Sequence, residues 1–245
     1  RPIRKPEDVD VLKAPDPERD LGFVLGTIRR VRAKADVPFI GFAGAPFTLA
    51  SYLIEGGGSK DYAATKGFMY RHPEVWDALL THLADSMAAY LRAQVEAGAQ
   101  ALQVFDSWAG VLSPADYAAR VLPHSRRLFA GIRETDVPLI HFGTGTAGFL
   151  ESFAAAGGDV VGVDWRIPLD EAGRRLGSER GIQGNLDPAA LLGPAEVWRD
   201  QAADVLRRAD GRAGHIFNLG HGVLPDTPIE HLRGLVTFVH ESTGR

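Results

Sequence analysis

Short apolar segments of strand character recur along the chain, and each ends in glycine and polar residues before helical periodicity begins. Six such segments are readable: 38–44, 101–107, 138–144, 160–165, 180–186 and 215–221. Apolar strands that alternate with helices are typical of a parallel sheet covered on both faces, because a strand with one exposed face would alternate polar and apolar residues. The polar residues gather at one end of the strands, and in a parallel barrel that end carries the chemistry.

Helical periodicity fills the stretches between these strands, where apolar residues recur every three or four positions. The first helix is predicted to begin at Pro17 behind Asp16, because aspartate caps helices well and proline suits the first turn. Further helices are predicted at 59–71, 73–97, 114–121, 124–134, 147–156, 169–176, 195–209 and 229–242. The proline-rich and charged segment 1–17 is interpreted as connecting, and 45–59 as the loop after the first strand.

Composition narrows the class of protein. The chain has 245 residues, of which 45% are hydrophobic and 24% charged, values typical of one large soluble α/β domain. A formal net charge of −4 provides no basic field for nucleic acid or an anionic membrane. The absence of cysteine excludes disulfides, thiolate nucleophiles and cysteine-ligated zinc. With no apolar run long enough to span a bilayer and no signal peptide, the sequence predicts a cytoplasmic protein.

The loop after the first strand contains Tyr52 and Glu55, followed by three glycines at 56–58 and by Ser59. A phosphate cradle is one interpretation of the glycines, but the Gly-Lys-Ser/Thr end of a P-loop is missing. A flexible turn before a helix N-cap at Ser59 is the favoured interpretation.

Ser107 follows the second strand, beside Asp106. A nucleophilic serine requires a sharp Gly-x-Ser-x-Gly elbow and a histidine within reach, and neither is evident here. Ser107 is therefore interpreted as a hydrogen-bond donor to a ligand, with a loop cap as the structural alternative.

His221 lies between Gly220 and Gly222 where the sixth strand ends. Flanking glycines let a ligand approach the backbone and leave the imidazole as the main feature of that surface. We therefore favour a functional role over the structural role that a lone histidine usually has. A metal site built from His141, Asp164 and His221 lacks any known ligand spacing, so no metal is predicted.

Four segments together carry a resemblance to a known family. Residues 39–58, 97–110, 184–188 and 218–226, in this order and spacing, resemble uroporphyrinogen decarboxylase, over about residues 2–245. The resemblance implies a (β/α)8 TIM barrel, a cytoplasmic homodimer and a deep cleft at the carboxyl ends of the strands. The substrate-contacting tyrosine, serine and histidine of the family fall on Tyr52, Ser107 and His221.

The implied activity is that of a carboxy-lyase in heme biosynthesis, which converts uroporphyrinogen III to coproporphyrinogen III by decarboxylating its acetate side chains. Loss of carbon dioxide leaves a carbanion, which usually requires a cofactor as electron sink. A pyrrole ring protonated on carbon is its own sink, so the resemblance implies no metal or organic cofactor. The enzyme must supply a proton, hold an anionic tetrapyrrole and stabilise a cation with a carboxylate.

The family's arginine segment and its cation-stabilising aspartate have no match in this chain. The catalytic residues are therefore unassigned and are expected upstream of Arg1; Asp106 and Asp164 belong to motifs with places of their own. A closed barrel needs eight strands, of which six strand–helix units are readable. We expect residues 1–245 to form a single α/β barrel domain that lacks its N-terminal units and is inactive by itself.

Two other functions stay open at this point. A corrinoid-dependent methyltransferase uses a similar barrel, but such enzymes typically hold zinc with cysteine and histidine, and the chain has no cysteine. A non-catalytic tetrapyrrole-binding fragment is the second alternative.

Overall fold

The computed structural model describes residues 2–244 and contains, within them, six strands in one sheet. All are parallel, and each pairs with the next strand in the chain. They are β1 (Ile40–Gly44), β2 (Ala101–Asp106), β3 (Leu139–Gly143), β4 (Val160–Gly162), β5 (Gly181–Leu186) and β6 (His215–Leu219). Each apolar segment predicted from the sequence therefore contains a strand, which is shorter than predicted because residues at one or both ends of the segment belong to loops.

Two helices precede the first strand, the others follow strands, and together they cover the outer face of the sheet. They are α1 (Glu7–Asp10), α2 (Pro17–Arg32), α3 (Pro46–Glu55), α4 (Ala63–Arg71), α5 (Pro73–Glu96), α6 (Pro114–Arg120), α7 (Leu122–Ile132), α8 (Leu150–Ala154), α9 (Leu169–Leu176), α10 (Ala195–Ala209) and α11 (Ile229–Thr243). Short 3-10 helices lie at Ala109–Val111, Arg133–Thr135, Thr146–Phe149 and Pro188–Leu192. The side chain of Asp16 accepts hydrogen bonds from the backbone of Glu18 and Arg19, which confirms the predicted cap of α2.

The interpretation of 45–59 as a loop is wrong, because most of it forms α3. Pro46 occupies the first turn, and Phe47, Ala50 and Ile54 are buried along the helix. Since α3 is wedged between the end of the sheet and α5, it lacks the polar stripe by which a surface helix is recognised. It ends at Gly56, whose φ of +82° suits glycine at a helix carboxyl end.

Two boundaries at the beginning of the chain also differ from the predictions. The connecting segment 1–17 contains the single turn α1, and the helix predicted to begin at residue 59 begins at Ala63. The intervening Ser59 accepts a hydrogen bond from the backbone of Tyr62 at 3.0 Å, so it closes a turn instead of capping the helix.

The sheet is curved, and its two faces have different roles. Leu102 and Val104 of β2 are buried against the helices. On the other face, Nε2 of Gln183 on β5 donates a hydrogen bond to Oε1 of Gln103 on β2 at 3.3 Å. These strands are separated in the sheet by β3 and β4, so their side chains meet only because the sheet bends around its inner face. This is the geometry of a barrel wall.

The barrel is not closed within residues 2–244, because β1 and β6 are the two edges of the sheet. Their inward side chains are accordingly exposed: Phe42 by 61%, Ile40 by 44% and Ile216 by 39%. The predicted parallel α/β architecture is thus confirmed, with six strands forming an open barrel wall. In this part of the chain no helix is both long enough and apolar enough to cross a membrane.

The main hydrophobic core lies between the sheet and the helices on its outer face, and the long helix α5 contributes many of its buried side chains. Substitutions in this part of the core should therefore have the largest effects on stability. Leu80 on α5 is fully buried, so Leu80→Ala should lower the free energy of unfolding by about 2–5 kcal/mol. Leu192→Ala, at a half-exposed leucine, should change it by less than about 0.5 kcal/mol. Urea unfolding at low protein concentration, followed by circular dichroism, measures both; equal effects would contradict this account of the core.

Candidate functional site

A cleft of about 350 Å³ opens on the inner face of the sheet, at the carboxyl ends of the strands. Its walls come from β2, β3 and β6 and from the loops that follow β2 and β6. The lining residues are Gln103, Phe105, Ser107, Phe142, Asn218, Leu219, His221, Gly222 and Val223. Two of the three residues predicted to contact a ligand, Ser107 and His221, are therefore together in one cleft although they are far apart in the chain.

A row of aromatic rings runs along this inner face. The ring centres of Phe42 and Phe105 are 5.8 Å apart, those of Phe105 and Phe142 are 5.6 Å apart, and those of Phe142 and His221 are 6.3 Å apart. The rings meet edge to face, the arrangement that aromatic pairs prefer. They form a continuous apolar wall from β1 to the loop after β6, with the His221 imidazole at its end.

The two glycines beside His221 have different roles. A Cβ on Gly220 would lie 2.8 Å from the backbone nitrogen of Trp165, so only glycine lets the end of β6 approach the loop after β4. A Cβ on Gly222 would meet no atom of the described residues within 4 Å, its chain neighbours aside. The predicted opening of the surface for a ligand therefore applies to Gly222, whereas Gly220 is required for packing.

Asp106, next to Ser107, points away from the cleft and is fully buried. Oγ1 of Thr48 on α3 donates a hydrogen bond to Oδ1 of Asp106 at 2.8 Å, and the other carboxyl oxygen has no hydrogen-bond partner among the described residues. Burial raises the pKa of Asp106 from 3.8 to about 7, and the bond from Thr48 only partly offsets this effect. Asp106 is thus a structural carboxyl that keeps its proton at mildly acidic pH, where an exposed aspartate would have lost it.

Tyr52 lies on α3 and is half-exposed. Its ring centre is 4.0 Å from that of Trp108, and the ring of Tyr62 is 5.0 Å from the same indole. Trp108 directly follows Ser107 in the chain. The structure therefore places Tyr52 beside the cleft, one aromatic ring away from Ser107, and not among the residues that line it.

The remaining candidates are structural. Oε1 of Glu55 accepts two hydrogen bonds from Thr65 on α4, both at 2.9 Å, and so joins α3 to α4. His141 is buried on the outer face with its ring 3.8 Å from that of Phe153, and burial lowers its pKa to about 3. The carboxylate of Asp164 accepts hydrogen bonds from the backbone of Gly145 and from Arg166.

These positions bear on the metal site considered from the sequence. His141 faces the helices, Asp164 is tied to its own loop, and His221 lies in the cleft, so the three side chains do not converge. Across residues 2–244 no group of three histidine, aspartate or glutamate side chains is arranged to hold a metal ion.

Sequence reasoning missed the floor of the cleft. Gln103 and Phe105 precede Ser107 by four and two positions in the chain, and side chains two apart on a strand share a face. Counting back from Ser107 would have identified both. Thr48 carried no such signal, because its partner Asp106 is 58 positions away in the chain.

Replacement of the buried carboxyl should change how stability depends on pH. Because its pKa is higher in the folded state, Asp106 makes the folded protein hold an extra proton between about pH 4 and pH 7, so its contribution to the free energy of unfolding falls as the pH rises through that range. Asp106→Asn cannot ionise and should abolish this fall. Urea midpoints of the two proteins should therefore diverge in favour of the variant from about pH 4.5 to about pH 7.5; a constant difference would contradict the raised pKa.

Comparison with known proteins bears on the identity of this cleft. A family model described as Uroporphyrinogen decarboxylase (URO-D) matches residues 1–242. Uroporphyrinogen decarboxylase of Carboxydothermus hydrogenoformans is 52% identical over 242 residues, which are 98% of this chain and 69% of that protein. The proteins of the same name from Sorangium cellulosum and Thermus thermophilus are 50% and 51% identical, over 98% of this chain and 69% and 70% of their own lengths.

Among solved structures, a methyltransferase from Methanosarcina mazei superposes with a TM-score of 0.84 at 21% identity, over 98% of this chain and 71% of that one. A B12-independent methionine synthase from Shewanella has a TM-score of 0.62 at 11% identity, over 89% of this chain and 67% of that one. At such identities the likeness concerns the fold alone. The family model and the relatives that share half of the residues are more specific, and by them the chain belongs to the uroporphyrinogen decarboxylase family.

Proposed function

We propose that this protein is a carboxy-lyase that binds uroporphyrinogen III in the cleft and removes carbon dioxide from its acetate side chains, giving coproporphyrinogen III. One observation carries the proposal: Ser107 and His221, which the family resemblance assigns to substrate contact, line one cleft in a chain half identical to named decarboxylases. The reaction belongs to heme biosynthesis. A cytoplasmic homodimer that uses no cofactor is part of the same proposal.

The aromatic row suits a large, mostly apolar ring system with charged side chains. Phe42, Phe105 and Phe142 offer their rings to the pyrroles, while Ser107 and His221 stand at the polar end of the wall. Once the barrel is closed, an apolar wall also excludes water, which strengthens the electrostatic interactions that stabilise a protonated pyrrole.

We assign Ser107, His221 and Tyr52 to hydrogen bonding with the substrate and not to covalent attack. Among the described residues, the carbonyl of Ser107 accepts a hydrogen bond from Oγ1 of Thr144, and no bond joins its hydroxyl to a base. A serine without a general base is a weak nucleophile. The half-exposed phenol of Tyr52 stands beside the cleft, where a substrate larger than the cavity would meet it.

The open edges of the sheet bear on whether residues 1–245 are sufficient for turnover. The inward side chains of β1 and β6 are exposed, and each of these strands has one unpaired edge within residues 2–244. Unpaired edges favour aggregation, and an open wall admits water to the site. We therefore propose that residues 1–245 alone do not decarboxylate uroporphyrinogen.

A comparison of two proteins tests this proposal. The first is the chain of 245 residues; the second, here called the completed chain, joins it to the parts of the Carboxydothermus hydrogenoformans protein that lie outside the match. With uroporphyrinogen under anaerobic conditions, we expect coproporphyrinogen from the completed chain only. Efficient conversion by residues 1–245 would place the catalytic acid inside this sequence, and no conversion by either protein would contradict the proposed function.

Substitutions in the completed chain test the assigned contacts. Ser107→Ala, His221→Asn and Tyr52→Phe should each lower turnover by about ten- to a hundredfold, the scale of losing one positioned polar contact of roughly 1.5–3 kcal/mol. Leu192→Ala serves as a control at an exposed position and should retain full turnover. Complete loss of activity in Ser107→Ala, together with a trapped acyl species in the parent, would instead require a nucleophilic mechanism.

A further inference from the structure

Ser107 is held by its neighbours, and both neighbours are held by one hydroxyl group. Oγ1 of Thr48 donates a hydrogen bond to Oδ1 of Asp106 at 2.8 Å and accepts one from the backbone N–H of Trp108 at 3.3 Å. The Thr48 hydroxyl thus bonds to the residue before Ser107 as a donor and to the residue after it as an acceptor.

This arrangement determines the direction of the Ser107 side chain. Successive residues at the end of a strand point to opposite faces, so drawing Asp106 outward to α3 turns Ser107 inward to the cleft. The backbone reinforces the contact, because the N–H of Ala45 at the start of α3 donates to the carbonyl of Phe105 at 2.8 Å. The same helix therefore anchors the strand before Ser107 and the loop after it.

Thr48 itself does not contact the cleft. Its side chain is buried between α3 and β2, and it is not among the residues that line the cleft. Asp106 is equally inaccessible, and within residues 2–244 one of its oxygens has no hydrogen-bond partner. A buried carboxyl with only one of its oxygens hydrogen-bonded is costly to place in a core, which favours a role for the Thr48–Asp106 pair beyond packing.

We propose that Thr48 is a positioning residue, which holds Asp106 and Trp108 so that the Ser107 hydroxyl points into the cleft. This proposal rests on the proposed function, because the role it gives to Ser107 is substrate contact.

The test uses Thr48→Val, which keeps the shape of the side chain and removes both hydrogen bonds, and Thr48→Ser, which keeps the hydroxyl. In the completed chain we expect kcat/KM to fall about tenfold in Thr48→Val, the effect of roughly 1.4 kcal/mol, and to stay within about twofold of the parent in Thr48→Ser. Ser51→Ala is the matched control: it removes a buried hydroxyl of α3 that donates to the carbonyl of Phe47 in its own helix, and it should leave turnover unchanged.

A double-mutant cycle separates positioning from general loss of stability. If Thr48 acts through Ser107, Thr48→Val should lower kcat/KM by less than about twofold when added to Ser107→Ala, because the hydroxyl that it positions is gone. Effects that multiply in full, or normal turnover in Thr48→Val, would overturn the proposal. If Thr48→Val does not fold at the assay temperature, Thr48→Ala takes its place in the same cycle.

A measurement without turnover distinguishes failure of this proposal from failure of the proposed function. The backbone amide proton of Trp108 should lose its hydrogen bond in Thr48→Val and keep it in Thr48→Ser, which a nuclear magnetic resonance spectrum of labelled protein reports as a shift in the first variant only. An unchanged Trp108 resonance in Thr48→Val would refute the positioning role even if uroporphyrinogen proved not to be the substrate.

Discussion

The alternation of side chains along parallel strands is the constraint on which both the core and the cleft depend. In β2, Leu102 and Val104 are buried against the helices, whereas Gln103 and Phe105 between and after them face the cleft. A slip of one residue in the pairing with β1 or β3 would exchange the two sets of side chains. The same backbone register therefore places the side chains of the core and those of the cleft.

This constraint also explains what the sequence could predict. The strands were recognisable because their apolar character and their polar endings depend on local chemistry. Helix α3 was not recognisable, because Phe47, Ala50 and Ile54 are buried by elements that lie far away in the chain. The end of β4 was overestimated for a similar reason: the strand ends at Gly162, and the carboxylate of Asp164 beyond it bonds to the backbone of Gly145 in another loop, a contact that has no local signature.

In the candidate site, too, some residues could be recognised from their neighbours in sequence and others could not. Ser107 and His221 stood out because of their neighbours in sequence, and the structure brings both to one cleft. Tyr52 required the family resemblance, since a tyrosine on a helix has no pattern of its own. The opposite roles of Gly220 and Gly222 follow from distances to a different strand end, which no spacing within the chain reveals. The sequence around a residue can therefore mark it as a candidate, but its role depends on which distant segments of the chain the fold brings beside it.

The hydrogen bond between Gln103 and Gln183 has a consequence for the order of folding. Its two residues are 80 positions apart in the chain, and each parallel pairing likewise closes a long crossover. Contacts of such separation form slowly, because the entropy of loop closure must be overcome before they contribute. During synthesis, β1 to β3 and their helices emerge well before β5 and β6, so the outer core can begin to form before Gln183 and the β6 side of the cleft exist. The cleft is therefore completed late, and until β6 joins the sheet its aromatic row is apolar surface that chaperones and other nascent chains can contact.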